Sequence, residues 1–374
     1  MRIAIEAQRI FRQHKHGMDF VALETIRQLQ VLDKENEYYI IVSPGEDKCL
    51  QPSHNFQIIE LSCPTYPLWE QVALPIMIRK IKPDILHCTS NTAPLYCKTP
   101  LVLTLHDIIF LEKRKQKSPS FYQNLGWYYR KLIVPRILTS CKKIITVSKF
   151  EKEQIQRALK LPECQLTAIY NGYGAHFIPK SESFLITTKY LPEKEYLFFL
   201  GNTDPKKNTL RTLVAYSQYV KKSDKPLPLL IADLKEPIID TLLLEGNILS
   251  IKPLLRYPGY ISNADLPYIY SGARIFLYTS LRESFGIPLL EAMACGTPVI
   301  TSATSSMPEI GGDGAILTDP YNPKSISDML LKLEQDPEFY QECVNYGLNR
   351  VKKFSWKHTA TEVLDLYISL NNKT

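Results

Sequence analysis

Short apolar segments alternate with longer amphipathic segments from one end of this chain to the other. Phe20–Leu32 is typical of the amphipathic kind, with Ala22, Ile26 and Leu29 at helical spacing. Several apolar segments have no polar face, as in parallel strands that are covered by helices on both sides. The alternation therefore predicts an α/β fold built on parallel sheets. The predicted strands are Arg2–Ala7, Tyr39–Ser43, Gln57–Leu61, Asp84–Thr89, Leu101–His106, Lys143–Ser148, Tyr196–Gly201, Leu227–Ala232, Ile248–Lys252, Arg274–Thr279, Val299–Thr301 and Ala315–Leu317.

The alternation weakens over residues 179–194 and then restarts. A chain of 374 residues is long enough for two domains, since a domain usually holds about 100 to 200 residues. We therefore predict a doubly wound domain over residues 1–178, a linker over 179–194 and a second doubly wound domain over 195–355. Residues 356–374 form an amphipathic helix whose apolar face needs a partner, and either domain could supply it. Because ligands bind beyond the carboxyl ends of such strands, two facing domains would enclose the site in a cleft.

Positive charge is concentrated in the first half of the chain. The whole chain has 45 basic and 38 acidic side chains, whereas residues 1–180 hold 25 and 16, a net charge of +9. Such an excess fits an anionic partner, namely nucleic acid, phospholipid headgroups or a phosphorylated acceptor, or an ordinary solvated surface. The basic runs Arg79–Lys82 and Lys113–Lys117 would suit a lipid-phosphate surface. No nucleic-acid-binding motif is present, so we expect no nucleic-acid partner.

Cysteine usage and hydropathy limit the compartment. The eight cysteines are scattered and form no Cys-x-x-Cys pair, which argues against a zinc site and favours reduced, mostly buried thiols. Glu6 interrupts the N-terminal segment before a secretory apolar region could form. No apolar run approaches the ~18 residues of a membrane span. These features predict a cytoplasmic protein, able to touch the inner face of the cell membrane.

The most informative segment is Thr279–Ile300, in which a strand is followed by a loop and a helix. Gly286 permits close approach of the backbone, and Pro288 suits the first turn of a helix that closes at Gly296. A helix start of this kind is an anion site suited to a diphosphate. Glu283 and Glu291 would repel an anion that they touched, so we interpret them as acceptors for hydroxyl groups on either side of it.

Glu283 and Glu291 form a Glu-x7-Glu motif. Together with Phe285-Gly286 and the sequence Glu-Ala-Met-Ala-Cys-Gly-Thr-Pro-Val from Glu291, this motif closely resembles the retaining family 4 glycosyltransferases, also described as group 1, of the GT-B fold. The resemblance covers nearly the whole chain and implies two Rossmann-like domains, an N-terminal one for the acceptor and a C-terminal one for the nucleotide sugar. It continues through Ile145–Phe150, Tyr170–Gly172, Leu200–Asn208, Pro258–Ile261 and Met307–Ile310.

The resemblance implies roles for residues of the second domain. Glu283 would hold hydroxyl groups of the donor sugar, and Glu291 would hold the ribose. Tyr260 and Ile261 would line the base pocket, although an ordinary core position explains them equally well. The backbone amides that would hold the diphosphate and sugar are those of Phe285, Gly286 and Ile287.

A turn after the first strand of the second domain carries two lysines. In the family the lysine that matches Lys207 stabilises the departing nucleoside diphosphate, whereas Lys206 is expected to be a surface neighbour. As an alternative, both lysines are solvated turn residues. Many relatives have an arginine immediately after the strand glycine, where this chain has Asn202, so the leaving-group site has less positive charge here.

Two positions of the first domain also match the family. His106, with Asp107 beside it, matches a histidine that faces the donor sugar, although a lone histidine more often has a structural role. Asp107 is expected to orient the loop. Gly17 lies in His14–Met18, which matches the family's glycine-rich loop near the diphosphate and acceptor. This chain has one glycine there where two are common, which leaves the positioning of the acceptor by this loop open.

These observations predict a retaining hexosyltransferase whose donor is a GDP- or UDP-hexose, with mannose from GDP-mannose favoured. The acceptor is expected to be a saccharide or lipid-linked saccharide in surface polysaccharide assembly. The resemblance implies front-face attack by the acceptor hydroxyl, whose proton passes to the leaving phosphate. No cofactor is expected, and the chain has no Asp-x-Asp pair for a donor-bound metal. The alternatives are a nucleotide-sugar 2-epimerase or hydrolase of the same fold, and a non-catalytic nucleotide-binding module.

Overall fold

The computed structural model describes residues 1–111 and 121–371, and the basic run Lys113–Lys117 lies outside them. The chain divides into two compact units. The first consists of Met1–Gly172 together with the C-terminal segment that begins at Trp356, and the second consists of Tyr173–Ser355. Each unit has its own parallel sheet, as the sequence predicts.

The sheet of the first unit has the strand order β3-β2-β1-β4-β5-β6-β7 over the described residues. Its interior strand β1 pairs in parallel with β2 and β4, so that Ile5 lies opposite Ile40 on one side and His87 on the other. The strands are β1 Arg2–Glu6, β2 Glu37–Val42, β3 Phe56–Glu60, β4 Ile85–Cys88, β5 Leu101–Thr104, β6 Cys141–Thr146 and β7 Leu166–Ala168.

The sheet of the second unit has the order β10-β9-β8-β11-β12-β13 in the described part of the chain. Strand β11 is buried along most of its length because helices cover both faces of the sheet. The strands are β8 Tyr196–Leu200, β9 Leu229–Ala232, β10 Leu255–Gly259, β11 Ala273–Tyr278, β12 Val299–Ser302 and β13 Ile316–Thr318.

Helices connect the strands in both units. A π-helical turn, Trp69–Ala73, joins the second helix to the third, and short 3-10 turns include Pro205–Lys207 and Leu249–Leu254. The helices are α1 Gly17–Leu32, α2 Tyr66–Leu68, α3 Leu74–Ile81, α4 Phe121–Ile137, α5 Lys149–Leu159, α6 Ser183–Thr187, α7 Thr209–Lys222, α8 Glu236–Glu245, α9 Leu266–Gly272, α10 Ile287–Ala294, α11 Met307–Gly311, α12 Pro323–Gln335, α13 Pro337–Arg350 and α14 Trp356–Asn371.

The C-terminal helix α14 packs against α1 in the first unit. Its buried face includes Ala360, Val363 and Tyr367, which join the apolar core formed by β1 and its neighbours. The Tyr367 hydroxyl also lies 2.5 Å from Nδ1 of the buried His87 on β4. The apolar face that the sequence left without a partner therefore completes the core of the first unit.

The predicted strand Ile248–Lys252 is wrong. Residues Leu249–Leu254 form a 3-10 helix instead, and the strand follows as β10. Ile248, Ile251 and Leu254 recur at every third position, which matches the three residues per turn of a 3-10 helix. The short strand β7 was not predicted.

Residues 179–194, predicted as a linker, pack within the second unit. They contain helix α6, which contacts α9. The Lys180 amide also donates a hydrogen bond to the Ser271 hydroxyl at 3.1 Å. The boundary between the two units instead falls between Gly172 and Tyr173.

Candidate functional site

Loops from neighbouring strands meet at the carboxyl edge of the sheet in the second unit. Strands β8, β11 and β12 are adjacent, so the loops that follow them lie side by side. In open α/β sheets, ligands bind at this edge. The loops after β8 and β11 carry Lys207 and Glu283, which the sequence singled out.

The turn after β8 holds Lys207 in a fixed position. The Asp204 carboxylate accepts a hydrogen bond from the Lys206 amide at 3.0 Å, which closes the 3-10 turn Pro205–Lys207. Asn208 follows in the left-handed conformation with φ 61°, and it is buried. Its Nδ2 donates to the carbonyl oxygens of Thr279 at 3.1 Å and Pro320 at 2.8 Å. One side chain therefore ties this turn to the ends of β11 and β13.

Lys207 and Glu283 form an ion pair. The Lys207 Nζ lies 2.6 Å from Glu283 Oε1, and their side chains are 25% and 13% exposed. The ammonium group also lies 5.8 Å from the centre of the Tyr278 ring, within the range of a cation–π contact. Burial raises the pKa of Tyr278, and the Glu283 carboxylate raises it further. The pair thus brings together the two residues that the sequence assigned to the leaving group and the donor sugar.

Two serines after β12 fix the backbone at Glu283. The Glu283 amide donates to the Ser305 hydroxyl at 2.9 Å, and the Ser306 hydroxyl donates to the Glu283 carbonyl at 2.9 Å. Ser305 has a φ of 61°, which an L-residue adopts rarely. These serines were not predicted as site residues. The polar run Thr304–Ser306 at the end of a strand is the signal that could have found them.

Helix α10 begins directly after the Glu283 loop. Gly286, at its N-terminus, has a φ of +99°, and a Cβ atom there would lie 2.6 Å from Met307 Cε. Phe285 is buried and meets Phe354 edge-on at 6.0 Å between ring centres. The positive end of the α10 dipole, at Ile287, therefore lies beside Glu283 in the chain and is suited to an anion.

Glu291 lies one helical turn after Ile287 on α10, and so on the same helix face. Burial raises the pKa of Glu291 to about 7. The Tyr270 hydroxyl donates a long hydrogen bond of 3.4 Å to Glu291 Oε2. This carboxyl group therefore lies within the second unit and has lone pairs available to accept further hydrogen bonds.

Three further predicted residues of the second unit are placed as follows. Asn202 is exposed, and its Oδ1 accepts a hydrogen bond from the Asp204 amide at 2.8 Å, so the side chain shapes the turn. Tyr260 is 72% exposed and is not a core residue. Ile261 is 3% exposed, which matches the core interpretation.

His106 and Gly17 belong to the first unit. His106 follows β5 and is buried, which lowers its pKa. Its Nε2 lies 2.9 Å from the Thr89 carbonyl, an acceptor, so Nε2 carries a proton and Nδ1 is free of it in the neutral ring. The His106 amide donates to Asn91 Oδ1 at 2.6 Å. Asn91, with a φ of 68°, is a positioning residue that the sequence analysis missed.

Gly17 is the first residue of α1 and is exposed. A Cβ atom at Gly17 would meet no atom within 4 Å in the described structure, so its own fold does not require a glycine there. The start of α1 is organised by Asp19, which accepts from the His16 amide at 2.9 Å and pairs with Arg9 Nε at 3.2 Å. Open space at Gly17 leaves room for a ligand to approach the backbone.

No metal site is evident in residues 1–111 and 121–371, where no three His, Cys, Asp or Glu side chains are grouped so as to hold an ion. No helix in the same ranges is both long and apolar enough to cross a lipid bilayer.

Comparison with known proteins identifies the family. A family model described as glycosyl transferases group 1 matches residues 187–350, and one described as glycosyltransferase family 4 matches residues 17–175. The O-antigen chain mannosyltransferase B of Escherichia coli is 31% identical over 272 residues, which are 71% of this chain and 69% of that protein.

Solved structures share the fold. A sucrose-phosphate synthase from Thermosynechococcus elongatus aligns with a TM-score of 0.76 over 100% of both chains, at 19% identity. HepE from Anabaena, in complex with UDP-glucose, aligns with a TM-score of 0.74 over 99% of this chain and 100% of that chain, at 16% identity. The chain therefore belongs to glycosyltransferase family 4 and has the GT-B fold.

Proposed function

We propose that this family 4 glycosyltransferase transfers mannose from GDP-mannose to a saccharide or lipid-linked saccharide during assembly of a surface polysaccharide. The observation that carries the proposal is the Lys207–Glu283 ion pair, which lies beside the start of α10. This arrangement offers a cation and a helix N-terminus to a diphosphate and a carboxylate to sugar hydroxyls. Mannose is favoured because the relative from Escherichia coli is named as a mannosyltransferase.

Each group of the second unit has a proposed contact with the donor. The diphosphate is bound by Lys207 and by the backbone amides of Phe285, Gly286 and Ile287. Glu283 accepts hydrogen bonds from the hexose hydroxyls. Glu291 accepts hydrogen bonds from the ribose. Ile261 and Tyr260 border the base, and Asn202 contributes no charge. In the first unit, the contacts of His106 and Gly17 with the donor are predictions from the family resemblance.

The proposed reaction retains the configuration of the anomeric carbon. The bond between that carbon and the diphosphate oxygen breaks, and the acceptor oxygen bonds to the carbon from the same face. The acceptor proton passes to the leaving phosphate. Negative charge that develops on the diphosphate is stabilised by Lys207 and by the α10 dipole, an electrostatic effect that requires no cofactor in this scheme.

Donor binding and product analysis test this proposal. We expect GDP-mannose to raise the unfolding temperature of the full chain, because a ligand that binds the native state stabilises it. We also expect the purified protein to transfer labelled mannose to a saccharide acceptor, with an α-anomeric product detected by NMR. Stabilisation by UDP-glucose but not by GDP-mannose would contradict the donor assignment, and a β-linked product would contradict retention.

Two alternatives give different results in the same assays. A 2-epimerase or hydrolase would consume the donor when no acceptor is present, so incubation with donor alone and measurement of free or epimerised sugar distinguishes it. A non-catalytic module would bind the nucleotide but form no product even in a single-turnover experiment with enzyme in excess. We expect neither outcome.

The proposed acceptor also leads us to propose that the first unit contacts the membrane surface. Leu68, Val72 and Ile76 recur at intervals of four residues and are 48%, 48% and 59% exposed. The basic run Arg79–Lys82 follows them on α3 and its end. An apolar stripe next to cations suits an anionic bilayer surface. We expect the protein to sediment with anionic vesicles more than with neutral ones, and equal binding to both would contradict this contact.

A further inference from the structure

A cavity lies in the first unit, and its described lining residues include none of those assigned to the donor. Its volume is about 120 Å³. Arg9 and Arg12, which follow β1, and Thr92, which follows β4, contribute to its walls, with Arg130 on α4. A single water needs about 10 to 15 Å³ by this measure, so the cavity can hold a group as large as a phosphate. It lies near the carboxyl ends of parallel strands, where ligands of such sheets bind.

The lining of this cavity is positively charged. Three arginines line it, and no acidic residue is among its described lining residues, although the Glu70 carboxylate lies directly behind Tyr66, Thr92 and Tyr129. Arg9 pairs through Nε with Asp19 at 3.2 Å. The guanidinium groups of Arg12 and Arg130 make no hydrogen bond or ion pair within residues 1–111 and 121–371, although the Arg12 backbone bonds to the Arg9 carbonyl and to the Lys15 ammonium group. Three guanidinium groups gathered at one cavity, two of them without a side-chain partner in the described residues, are suited to an anion with several oxygens, above all a phosphate.

A buried carboxylate, that of Glu70, lies behind the cavity wall and orients three hydroxyl groups. Glu70 accepts hydrogen bonds from the hydroxyl groups of Tyr66 at 2.7 Å and Tyr129 at 2.5 Å, and from that of Thr92. All three residues line the cavity. The Tyr129 oxygen already accepts a hydrogen bond from Gln71 Nε2 at 2.8 Å, and the Tyr66 and Thr92 hydroxyl groups also bond to each other, so a ligand can use only the remaining lone pairs of these oxygens as acceptors. Burial raises the pKa of Glu70. The cavity thus combines cations for a phosphate with acceptors for sugar hydroxyls.

The rim of the cavity is apolar. Leu125 lines it and is 50% exposed, and Tyr128 and Leu132 on the same helix α4 are 55% and 53% exposed. Positions 125, 128 and 132 fall on one face of a helix, so an exposed apolar strip leads away from the cavity. A ligand that joins a phosphate to a hydrocarbon chain would use both features.

We propose that this cavity binds the phosphate-bearing end of a lipid-linked acceptor, with a sugar phosphate or diphosphate in the cavity and the lipid along α4. This proposal rests on the proposed transferase function in one respect, that the ligand is the acceptor. The same cations would also attract the donor diphosphate or free phosphate, so an experiment must separate these three sources.

A binding experiment tests the cavity without requiring turnover. The full chain, saturated with GDP to fill the donor site, is titrated calorimetrically with geranyl diphosphate and with inorganic pyrophosphate. We expect geranyl diphosphate to bind, and the double variant Arg12→Gln, Arg130→Gln to bind it at least about tenfold more weakly, because charge-assisted hydrogen bonds are lost. Arg136→Gln is the matched control, since Arg136 lies on α4 but does not line the cavity, and its affinity should be unchanged.

The results of these titrations distinguish a lipid-linked acceptor from the donor diphosphate and from free phosphate. Equal binding by the double variant and the unaltered chain would overturn the site, and pyrophosphate binding as tight as geranyl diphosphate would overturn the lipid-linked assignment. In transfer assays we expect the double variant to raise KM for a lipid diphosphate-linked acceptor and leave KM for the donor unchanged. A rise in donor KM instead would assign the cavity to the donor diphosphate. If no mannose is transferred yet the arginine-dependent binding persists, the proposed function fails and the phosphate site stands.

Discussion

At the scale of single residues, the contact between Lys207 and Glu283 depends on groups that keep two loops together. The two residues are 76 positions apart in the chain and 2.6 Å apart in the fold. Asn208 Nδ2 holds the lysine turn against the end of β11, and Ser305 and Ser306 hold the backbone at Glu283. Removal of either support would move one partner while the other stayed in place.

Replacement of Lys207 should impair catalysis more than binding. We expect Lys207→Ala to lower kcat by more than about a hundredfold, because it removes a charge that stabilises the leaving diphosphate. Lys206→Ala is the matched control, since Lys206 belongs to the same turn and pairs with Asp204 at 3.4 Å. Steady-state kinetics with saturating donor measure both variants. Near-normal turnover by Lys207→Ala would remove this residue from the mechanism.

Glu291 should make donor binding depend on pH. Its pKa of about 7 means that much of the carboxyl group is protonated at pH 6, and only the ionised form has both oxygens available as acceptors for ribose hydroxyls. We expect the affinity for GDP-mannose to increase from pH 6 to pH 8. Glu291→Gln should bind more weakly and show a flat profile, measured by calorimetry. Glu6 also has a pKa of about 7, but it lies in the first unit and is unchanged in that variant.

The stability of the unliganded protein should change with pH in the opposite direction to the affinity for the donor. The folded pKa of Glu291 lies above the usual value of 4.5, so the native state binds the proton more tightly than the unfolded state. Its contribution to stability is therefore largest at low pH and is lost as the pH rises from about 4.5 to 7. An affinity for GDP-mannose that falls over pH 6 to 8 would contradict the ribose role.

At the scale of elements, apolar patterning predicted most strands but not their contacts. Tyr196–Leu200 could be predicted because five consecutive apolar residues suit a strand covered on both faces. Ile248–Lys252 could not, because a short apolar run with a three-residue period fits a strand and a 3-10 helix alike. In the site, Gly286 and the two glutamates follow from a local motif. The Lys207–Glu283 contact does not, because it depends on how strands distant in sequence pair within the sheet.

The start of α10 is sensitive to a change at Gly286. We expect Gly286→Ala to lower the free energy of unfolding by about 1 to 2 kcal/mol, because an L-residue is strained at its φ of +99°. It should also weaken binding of GDP-mannose by displacing the α10 amides. Gly296→Ala is the matched control, since Gly296 has a φ of +79° at the other end of α10 and, among the described residues, a Cβ atom there would meet only Pro179, at 3.7 Å.

Chemical denaturation and donor titration measure the two effects separately. Both variants should be destabilised, Gly286→Ala somewhat more because its Cβ atom would also lie 2.6 Å from Met307 Cε, but only Gly286→Ala should lose affinity for the donor. An equal loss of affinity in the two variants would indicate a general effect of destabilisation and would contradict a specific role for the helix start.

At the scale of the whole molecule, the chain builds the first unit from two separated segments and the second from one. Residues 173–355 are continuous, whereas the first unit needs α14 from the end of the chain to cover α1. Ala360, Val363, Leu366 and Tyr367 on α14 are buried in that core. The sequence showed the amphipathic face of this helix, but it could not identify the partner, because both predicted domains have apolar faces.

This organisation predicts different behaviour for two fragments. We expect Tyr173–Ser355 to fold alone and bind GDP-mannose, because it contains the whole second sheet and the donor residues proposed for the second unit. It should transfer no mannose, since His106 and Gly17 are missing. Met1–Gly172 should be poorly folded until a peptide spanning residues 356–374 is added. Circular dichroism and calorimetry check both fragments, and a stable Met1–Gly172 fragment without the peptide would contradict the structural role of α14.

The ion pair between Lys207 and Glu283 also has a consequence for selectivity in a crowded solution. In the unliganded protein the two charges neutralise each other. An inorganic phosphate that bound the Lys207 ammonium group would therefore leave the Glu283 carboxylate without a partner. A nucleoside diphosphate lacking its hexose would leave the same deficit. A complete nucleotide sugar supplies an anion to one partner and hydroxyl donors to the other at once. In the roles proposed for Lys207 and Glu283, the pair therefore favours binding of the intact donor over its fragments and favours release of the spent nucleotide.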